Sequence, residues 1–257
     1  MTGNRHTVIL QQRDYHLLSE IAVMRILDRE QAKIVAPFNS TTRANARLLA
    51  LLRAGLLNRL FLGTSRGGAK ALYTLSAYGA RVCHVKQGIS RKNGLIFSSD
   101  SFFQHQSRLN ALYVELKYRP LPIPGWKLRQ YRTFHQPVAS TVPLVPDGYF
   151  EIECPGQIIC MFLEVDLETE GIKVWQRKTD LYLQLAVSGE FTQIFQQPRF
   201  RVLVVAKSER RCHAIAKAVS LKTDKLFFFS TFEFINRDGF WSPVWLRPAG
   251  NQMTALV

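Results

Sequence analysis

Three acidic residues in the second half of the chain stand at a spacing that suits metal-dependent phosphate chemistry. Asp147 lies between a proline and a glycine, and Glu164 follows 17 residues later in the run Phe-Leu-Glu-Val-Asp, which ends at Asp166. Strand alternation places residues i and i+2 on one face, so Glu164 and Asp166 are expected to point the same way. Carboxylates on neighbouring strands hold a hard divalent cation, which lowers the pKa of a bound water. The pattern therefore predicts a magnesium site at Asp147 and Glu164.

A lysine beside such a metal would orient or deprotonate the water, but the position two residues after Glu164 holds Asp166. The candidate substitute is Lys178, on the following predicted helix. On a helical wheel Lys178 points inward, beside Trp175 and Tyr182, where a long cation requires an acidic partner. Glu115, on the preceding helix, completes the predicted catalytic set. The same wheel assigns the solvent face to Lys173, Arg177, Asp180 and Gln184.

The carboxylates and Lys178 also fit a second interpretation, a buried salt-bridge network in a fold without catalysis, because structural ion networks resemble active sites. Glu168 and Glu170 are interpreted as acids that favour the start of the following helix through its dipole. Lys207, Arg210 and Arg211 begin a later helix and are interpreted as a solvated face. The sequence leaves the choice between metal site and ion network open.

A basic helix followed by a hairpin is predicted in the first part of the chain. Ser40 is a good N-cap, and Gly55 supplies a left-handed stop. Arg43 and Arg47 lie one turn apart, beside an apolar stripe. Residues 56–62 and 71–75 are predicted strands that flank a glycine-rich basic tip. The stripe comprises Ala44, Leu48, Leu51 and Leu52.

Two further helices precede this segment. The first is expected from Arg13 to Leu27, and Asp28 with Gln31 resembles a capping box that opens the second. The order of three helices and a hairpin predicts a winged helix-turn-helix domain over residues 1–95, with Arg43 and Arg47 in the major groove. The predicted DNA contacts are Thr42, Arg43, Arg47, Arg53, Arg66, Lys70, Arg91 and Lys92.

Charge supports a polyanionic partner. The chain of 257 residues carries a formal net charge of +15 with a pI of about 10.0, and nucleic acid is the usual partner of such a protein. Seven acidic residues cluster between Asp147 and Glu170, with no lysine or arginine among them. The four cysteines show no metal-binding spacing, and no signal peptide or membrane span is expected, so the sequence predicts a cytoplasmic protein.

Residues 96–257 are expected to form a second domain of the α/β class, with an overall α+β character. Its predicted order is α-β-β-β-α-β followed by α-β, with the last strand expected from Leu226 to Phe234. Its tail is expected to pack as an irregular cover. A carboxylate at one strand bend and an acidic pair on the next strand resemble the metal site of the PD-(D/E)XK nuclease fold, which restriction endonucleases share. That resemblance implies a nuclease-like domain, with Asp166 standing where active nucleases carry lysine.

The chain also resembles the replication-relaxation family of plasmids and integrative elements. The resemblance rests on Arg13 and Asp14 in QQRDYHLL, on ILDREQ and on LLALLRAGLLNR. It continues through His105 and Asn110, the runs PDGYFEI and FLEVDLETE, and Lys178 with Tyr182. The family implies a DNA-binding protein that acts in replication, relaxation, mobilisation or transposition of mobile DNA.

Three functions stay open at this point. The first is a double-stranded DNA-binding protein of a mobile element, whose partners include other element proteins or a second copy of the chain. The second is an endonuclease that uses Mg²⁺ or Mn²⁺ at Asp147 and Glu164, with Lys178 assisting the water. The third is a dimeric winged-helix transcriptional repressor. None of them involves a membrane.

Overall fold

The computed structural model describes residues 7–63, 67–85 and 100–256, and the chain divides into two compact units between Tyr118 and Arg119. Within the N-terminal unit, an antiparallel sheet in the order β1-β3-β2 packs with helices. The elements are α1 (Gln12–Met24), β1 (Leu27–Asp28), α2 (Arg29–Val35), α3 (Thr41–Arg53), β2 (Leu57–Gly63), β3 (Ala69–Leu75), α4 (Ala77–Val82) and α5 (Asp100–Tyr118).

Local signals in the sequence set these helix ends. Asp28 and Gln31 form the expected capping box, since the side chain of each accepts a hydrogen bond from the backbone N–H of the other. The Ser40 hydroxyl accepts a hydrogen bond from the backbone N–H of Arg43 and caps α3. Gly55 takes a positive φ of 76°, and the N–H of Leu56 closes the end of α3 on the carbonyl of Leu51 at 3.0 Å. The predicted order of helices and hairpin is confirmed.

The division lies after Tyr118 and not near residue 95, because α5 packs within the N-terminal unit. The Asn110 amide donates to the carbonyls of Met24 and Ile26, which end α1 and precede β1. Tyr113 and Lys117 both donate to the carboxylate of Glu20, at 2.7 and 2.6 Å. These buried polar contacts fix α5 to α1, so α5 belongs with the first unit.

The C-terminal unit is built on a mixed sheet in the order β10-β9-β8-β7-β6-β5-β4. Strands β6, β7 and β8 run parallel, and the other pairs are antiparallel. The elements are β4 (Lys127–Arg132), β5 (Gly148–Cys154), β6 (Gln157–Asp166), α6 (Ile172–Val187), α7 (Glu190–Phe195), β7 (Arg201–Ala206), α8 (Glu209–Ser220), β8 (Phe227–Thr231), α9 (Phe232–Asp238), β9 (Trp245–Leu246) and β10 (Met253–Thr254).

An aromatic core fills this unit. Trp175 and Tyr182 of α6 are fully buried together with Phe162 of β6, and Tyr182 lies 5.5 Å from Phe162 between ring centroids. The wheel-based assignment of α6 is confirmed, since Lys173, Arg177, Asp180 and Gln184 are exposed. The mixture of helices with antiparallel and mixed sheets confirms the predicted α/β class.

Two expectations for the end of the chain are wrong. The strand predicted from Leu226 to Phe234 ends at Thr231, because the Thr231 hydroxyl accepts from the N–H of Phe234 and starts α9. The tail is not wholly irregular, because β9 and β10 extend the sheet beyond β8. Among the helices of the described ranges, none combines the length and the hydropathy that a membrane crossing requires.

Candidate functional site

Glu164 occupies the centre of the acidic cluster, at the carboxyl end of the buried strand β6. Its side chain is fully buried. One carboxylate oxygen accepts from the Tyr182 hydroxyl at 2.6 Å, and the other accepts from Lys178 Nζ at 3.1 Å. Tyr182 and Lys178 are one turn apart on α6, so the helix presents both donors to the same carboxylate. The inward orientation predicted for Lys178 is therefore observed.

Burial shifts the protonation of Glu164. Loss of water raises its pKa to about 7, and the nearby charge of Asp147 acts in the same direction, while Lys178 and the Tyr182 hydrogen bond oppose the shift. This carboxyl therefore changes its charge near neutral pH, in contrast to an ordinary surface glutamate.

Lys178 is held by more than one acid. Its Nζ lies 3.2 Å from a Glu170 carboxylate oxygen, and it lies 5.1 Å from the ring centroid of Trp175. Burial disfavours the ammonium, but the charges of Glu164, Asp147 and Glu170 outweigh it and raise the pKa of Lys178 well above its ordinary value. Lys178 stays protonated at neutral pH, so it acts as a counter-ion and is a poor acceptor for a proton from water. The sequence interpretation missed this pairing, since it assigned Glu170 to the helix dipole.

Asp166 is paired elsewhere. Its two oxygens accept from Nε and Nη2 of Arg211, both at 2.8 Å, and one of them also accepts from the indole N–H of Trp175 at 2.8 Å. Burial alone would raise the pKa of Asp166, but the hydrogen bonds from Arg211 and Trp175 hold it below its ordinary value. The expectation that Arg211 lies on a solvated face is wrong, because its side chain is only 12% exposed.

Asp147 connects the start of β5 to β6. It immediately precedes β5, and its Oδ2 accepts from the backbone N–H of Val165 on β6 at 2.8 Å. Its charge acts on both Glu164 and Lys178. Glu115 lies on α5 in the N-terminal unit, so it is not among the residues that the C-terminal unit brings together.

These carboxylates do not offer the donor set that Mg²⁺ requires. Within the described residues, no group of three or more His, Cys, Asp or Glu side chains is arranged to hold a metal ion. Both oxygens of Glu164 already accept hydrogen bonds from protein donors, and the Lys178 ammonium is the cation that lies beside this carboxylate. Magnesium prefers an octahedron of oxygen ligands, several of them waters. The arrangement fits an internal ion network, and catalytic roles for Asp147, Glu164, Asp166 and Lys178 stay predictions.

The second candidate surface is the outer face of α3. Thr42, Arg43 and Arg53 are exposed, whereas Ala44, Leu48 and Leu51 are buried. Arg43 carries no ion pair with any residue that the structure describes. Its side chain extends from the first turn of a helix whose apolar stripe is fixed in the core.

Arg47 does not share this exposure. Its Nε donates to Asp14 Oδ1 at 2.8 Å, its Nη2 pairs with Oδ2 of the same carboxylate, and Nη2 also donates to the carbonyl of Ile9 at 2.7 Å. Asp14 is fully buried and also caps α1 through the N–H of Gln11. This arginine is the counter-ion of a buried acid, and its predicted entry into the major groove stays a prediction.

The basic residues predicted to contact DNA around the hairpin are only partly described by the structure. Lys70 is half-exposed but pairs with Asp28, the cap of α2. Beside it a groove of about 560 Å³ is lined in part by Asn45 of α3, Gly67 and Gly68. Asn45 is also exposed, about one turn after Thr42 on α3, and the sequence analysis did not include it. The predicted contacts Arg66, Arg91 and Lys92 lie outside the described residues.

The comparison with family models agrees with the resemblance noted in the sequence. A family model described as replication-relaxation matches residues 18–197. A solved structure entitled "Structure of restriction endonuclease FokI" aligns with 88% of this chain at 10% identity and a TM-score of 0.31. The alignment spans 44% of that protein, so this chain covers less than half of its length. A search of curated proteins gave no match.

Proposed function

Because the chain belongs to the replication-relaxation family, we propose that it binds double-stranded DNA during a replication-related process of a mobile genetic element. The N-terminal unit acts as a winged helix-turn-helix whose α3 enters the major groove. The C-terminal unit is a nuclease-like scaffold that contributes binding without cleavage, because its carboxylates are neutralised internally.

The observation that carries this proposal is the exposed face of α3. Arg43, Thr42 and Asn45 lie in the first turns of a capped helix and are exposed, while the stripe of the same helix is buried. An arginine or an asparagine in this position reads base edges in the major groove through paired hydrogen bonds. The net charge of +15 favours the approach of such a surface to DNA phosphates.

The Arg43→Ala variant is expected to bind its preferred duplex about 5- to 150-fold more weakly, because one base contact is worth about 1–3 kcal/mol. The duplex is first selected from a random-sequence library with the wild-type chain, and affinities are then measured by fluorescence anisotropy. A base contact made by Arg43 also predicts a smaller loss on unselected duplex, since phosphate contacts remain.

Arg237→Ala is the matched control for this experiment. It removes the same charge from an exposed arginine that is paired with Asp238 in the C-terminal unit. Equal affinities of the two variants for the selected duplex would contradict the assignment of α3 as the reading helix.

One observation favours a second candidate, a metal-dependent endonuclease. The Nζ of Lys178 lies 3.1 Å from a carboxylate oxygen of Glu164, and Asp147 is close enough to influence both groups. Against this candidate stand the raised pKa of Lys178 and the two occupied oxygens of Glu164. The ion network accounts for these contacts without a metal.

The pH dependence of stability separates the two candidates. The folded-state pKa of Glu164, about 7, lies above its ordinary value, so its contribution to stability is complete below about pH 4.5 and is lost as the pH rises through 7. Between pH 5 and pH 8.5, wild type should therefore lose on the order of 2 kcal/mol of unfolding free energy relative to Glu164→Gln. Tryptophan fluorescence in urea measures this difference.

A metal site predicts a different result in the same titration. Mg²⁺ or Mn²⁺ bound by Glu164 and Asp147 would restore the stability lost at pH 8.5, and the ion network predicts no such restoration. Nicking of supercoiled plasmid in Mn²⁺ is expected to be equal for wild type and Asp147→Ala. Nicking that requires both Mn²⁺ and Asp147 would establish the endonuclease and overturn the non-cleaving role.

A further inference from the structure

Three arginines share one pocket in the C-terminal unit, at the edge of the sheet opposite to Glu164 and Asp166. Arg201 begins β7, Arg199 lies two residues earlier, and Arg247 follows β9. Because β6 and β7 are parallel, their amino ends meet at this edge, and the pocket is lined there by Ile158 as well. Its volume is about 510 Å³, within the range of small-ligand sites.

The arginines have few partners of opposite charge. No ion pair joins any of the three to an acid within the described parts of the chain. Burial, together with the charges of Arg199 and Arg247, lowers the pKa of Arg201. Asp224 is the acid that acts on Arg247, and its backbone carbonyl accepts from Arg247 Nη2 at 2.8 Å. Three clustered cations with only Asp224 acting against their charge mark a place where an anion would relieve repulsion.

The guanidinium groups are held in place by an aromatic ring. The Cζ atoms of Arg247 and Arg201 lie 4.3 and 5.5 Å from the ring centroid of Phe228. Arg201 also donates to the carbonyl of Leu256, which uses one of its five N–H groups. Because these guanidinium groups are already held in place, they can form paired hydrogen bonds with a phosphate at little further cost in side-chain entropy.

Apart from Gln157, the remainder of the pocket is apolar. Its apolar lining includes Trp126, Ile123, Ile158, Phe200 and Leu226. Trp126 is half-buried, and Ile123 is 45% exposed although it is a large aliphatic side chain. A flat aromatic ring beside cationic groups suits a ligand that joins a base to a phosphate.

We propose that this pocket binds a nucleotide through its phosphate, with Arg199, Arg201 and Arg247 around the phosphate and the base against Trp126. The nucleotide comes either from the free pool or from the 5′ end of a DNA strand. This site is separate from α3, and it does not require the duplex-binding role of Arg43.

The experiment uses the full-length chain and titrates dTMP, thymidine, and an eight-residue oligothymidylate with or without a 5′-phosphate. Isothermal titration calorimetry gives the affinities. Binding of dTMP is expected to be at least 10-fold tighter than that of thymidine. The double variant Arg199→Gln with Arg247→Gln is expected to lose at least 10-fold in dTMP affinity. It spares Arg201, whose contact with Leu256 also supports the fold.

Arg210→Gln is the matched control, because Arg210 is an exposed arginine of the same unit outside the pocket. Tighter binding of the 5′-phosphorylated strand than of dTMP assigns the site to DNA ends, and equal binding assigns it to free nucleotide. Affinity that does not depend on the phosphate, or that is equal in the double variant and in Arg210→Gln, overturns the proposal. Absence of millimolar binding by every probe overturns it as well, and each result leaves the role of α3 to its own test.

Discussion

Replacing Arg211 by alanine is expected to lower the unfolding free energy of the C-terminal unit by about 3–5 kcal/mol, the usual cost of breaking a buried ion pair. The carboxylate of Asp166 is 1% exposed and would lose both hydrogen bonds from Arg211. The donors that remain, Trp175 Nε1 and the N–H of Glu168, do not neutralise its charge.

Tryptophan fluorescence in urea is suited to this measurement, because all four tryptophans of the chain lie beyond residue 119 and report on this unit alone. Arg210→Ala is the control, since it removes an exposed arginine from the preceding position of α8. A shared urea midpoint for the two variants would show that the Arg211 pair adds nothing to stability.

The cost of Arg211→Ala should also depend on pH. The folded-state pKa of Asp166 lies below its ordinary value, so the stability from this pair is present above about pH 4 and is lost as the pH falls through the folded pKa. The difference between Arg211→Ala and Arg210→Ala should therefore shrink on acidification. A difference that stays constant down to pH 3 would assign the effect to packing rather than to charge.

Arg47→Ala is expected to cost about 3 kcal/mol in the N-terminal unit, because Asp14 would remain buried without its counter-ion. Far-UV circular dichroism should show an earlier unfolding step. Tryptophan fluorescence should not move, since the N-terminal unit contains no tryptophan.

Arg53→Ala provides the comparison for Arg47, because Arg53 is exposed near the end of the same helix. Its loss should change stability by less than about 0.5 kcal/mol, as for ordinary surface substitutions. If Arg47→Ala weakened duplex binding but did not make the N-terminal unit unfold earlier than in the wild type, Arg47 would be a DNA contact and not a structural counter-ion.

Local patterns in the sequence are sufficient to predict the helix ends and the inward orientation of one residue, Lys178. The caps at Asp28 and Ser40 depend on hydrogen bonds within three residues, which the sequence displays directly. Lys178 was predicted to face inward because a helical wheel requires only the period of α6.

Long-range contacts could not be predicted in the same way. Arg43 and Arg47 lie one turn apart and look equivalent on a wheel, but Asp14, which lies 33 residues before Arg47, is packed beneath only one of them. Arg211 reaches Asp166 across 45 residues, and a local helical pattern does not show that this cation neutralises a buried acid. The division after Tyr118 differs from the predicted boundary near residue 95 for the same reason, since α5 is fixed by Asn110 to carbonyls more than 80 residues earlier.

The length of β6 separates the arginine pocket from the acidic cluster of the C-terminal unit. Ile158 at the arginine pocket and Asp166 at the acidic end are eight residues apart, which is about 26 Å along an extended strand. This distance exceeds two Debye lengths at physiological ionic strength, so charge at one end is screened from the other. A polyanion would be attracted to the arginine edge, whereas the acids of the opposite edge are paired with Lys178 and Arg211 and leave little net charge there.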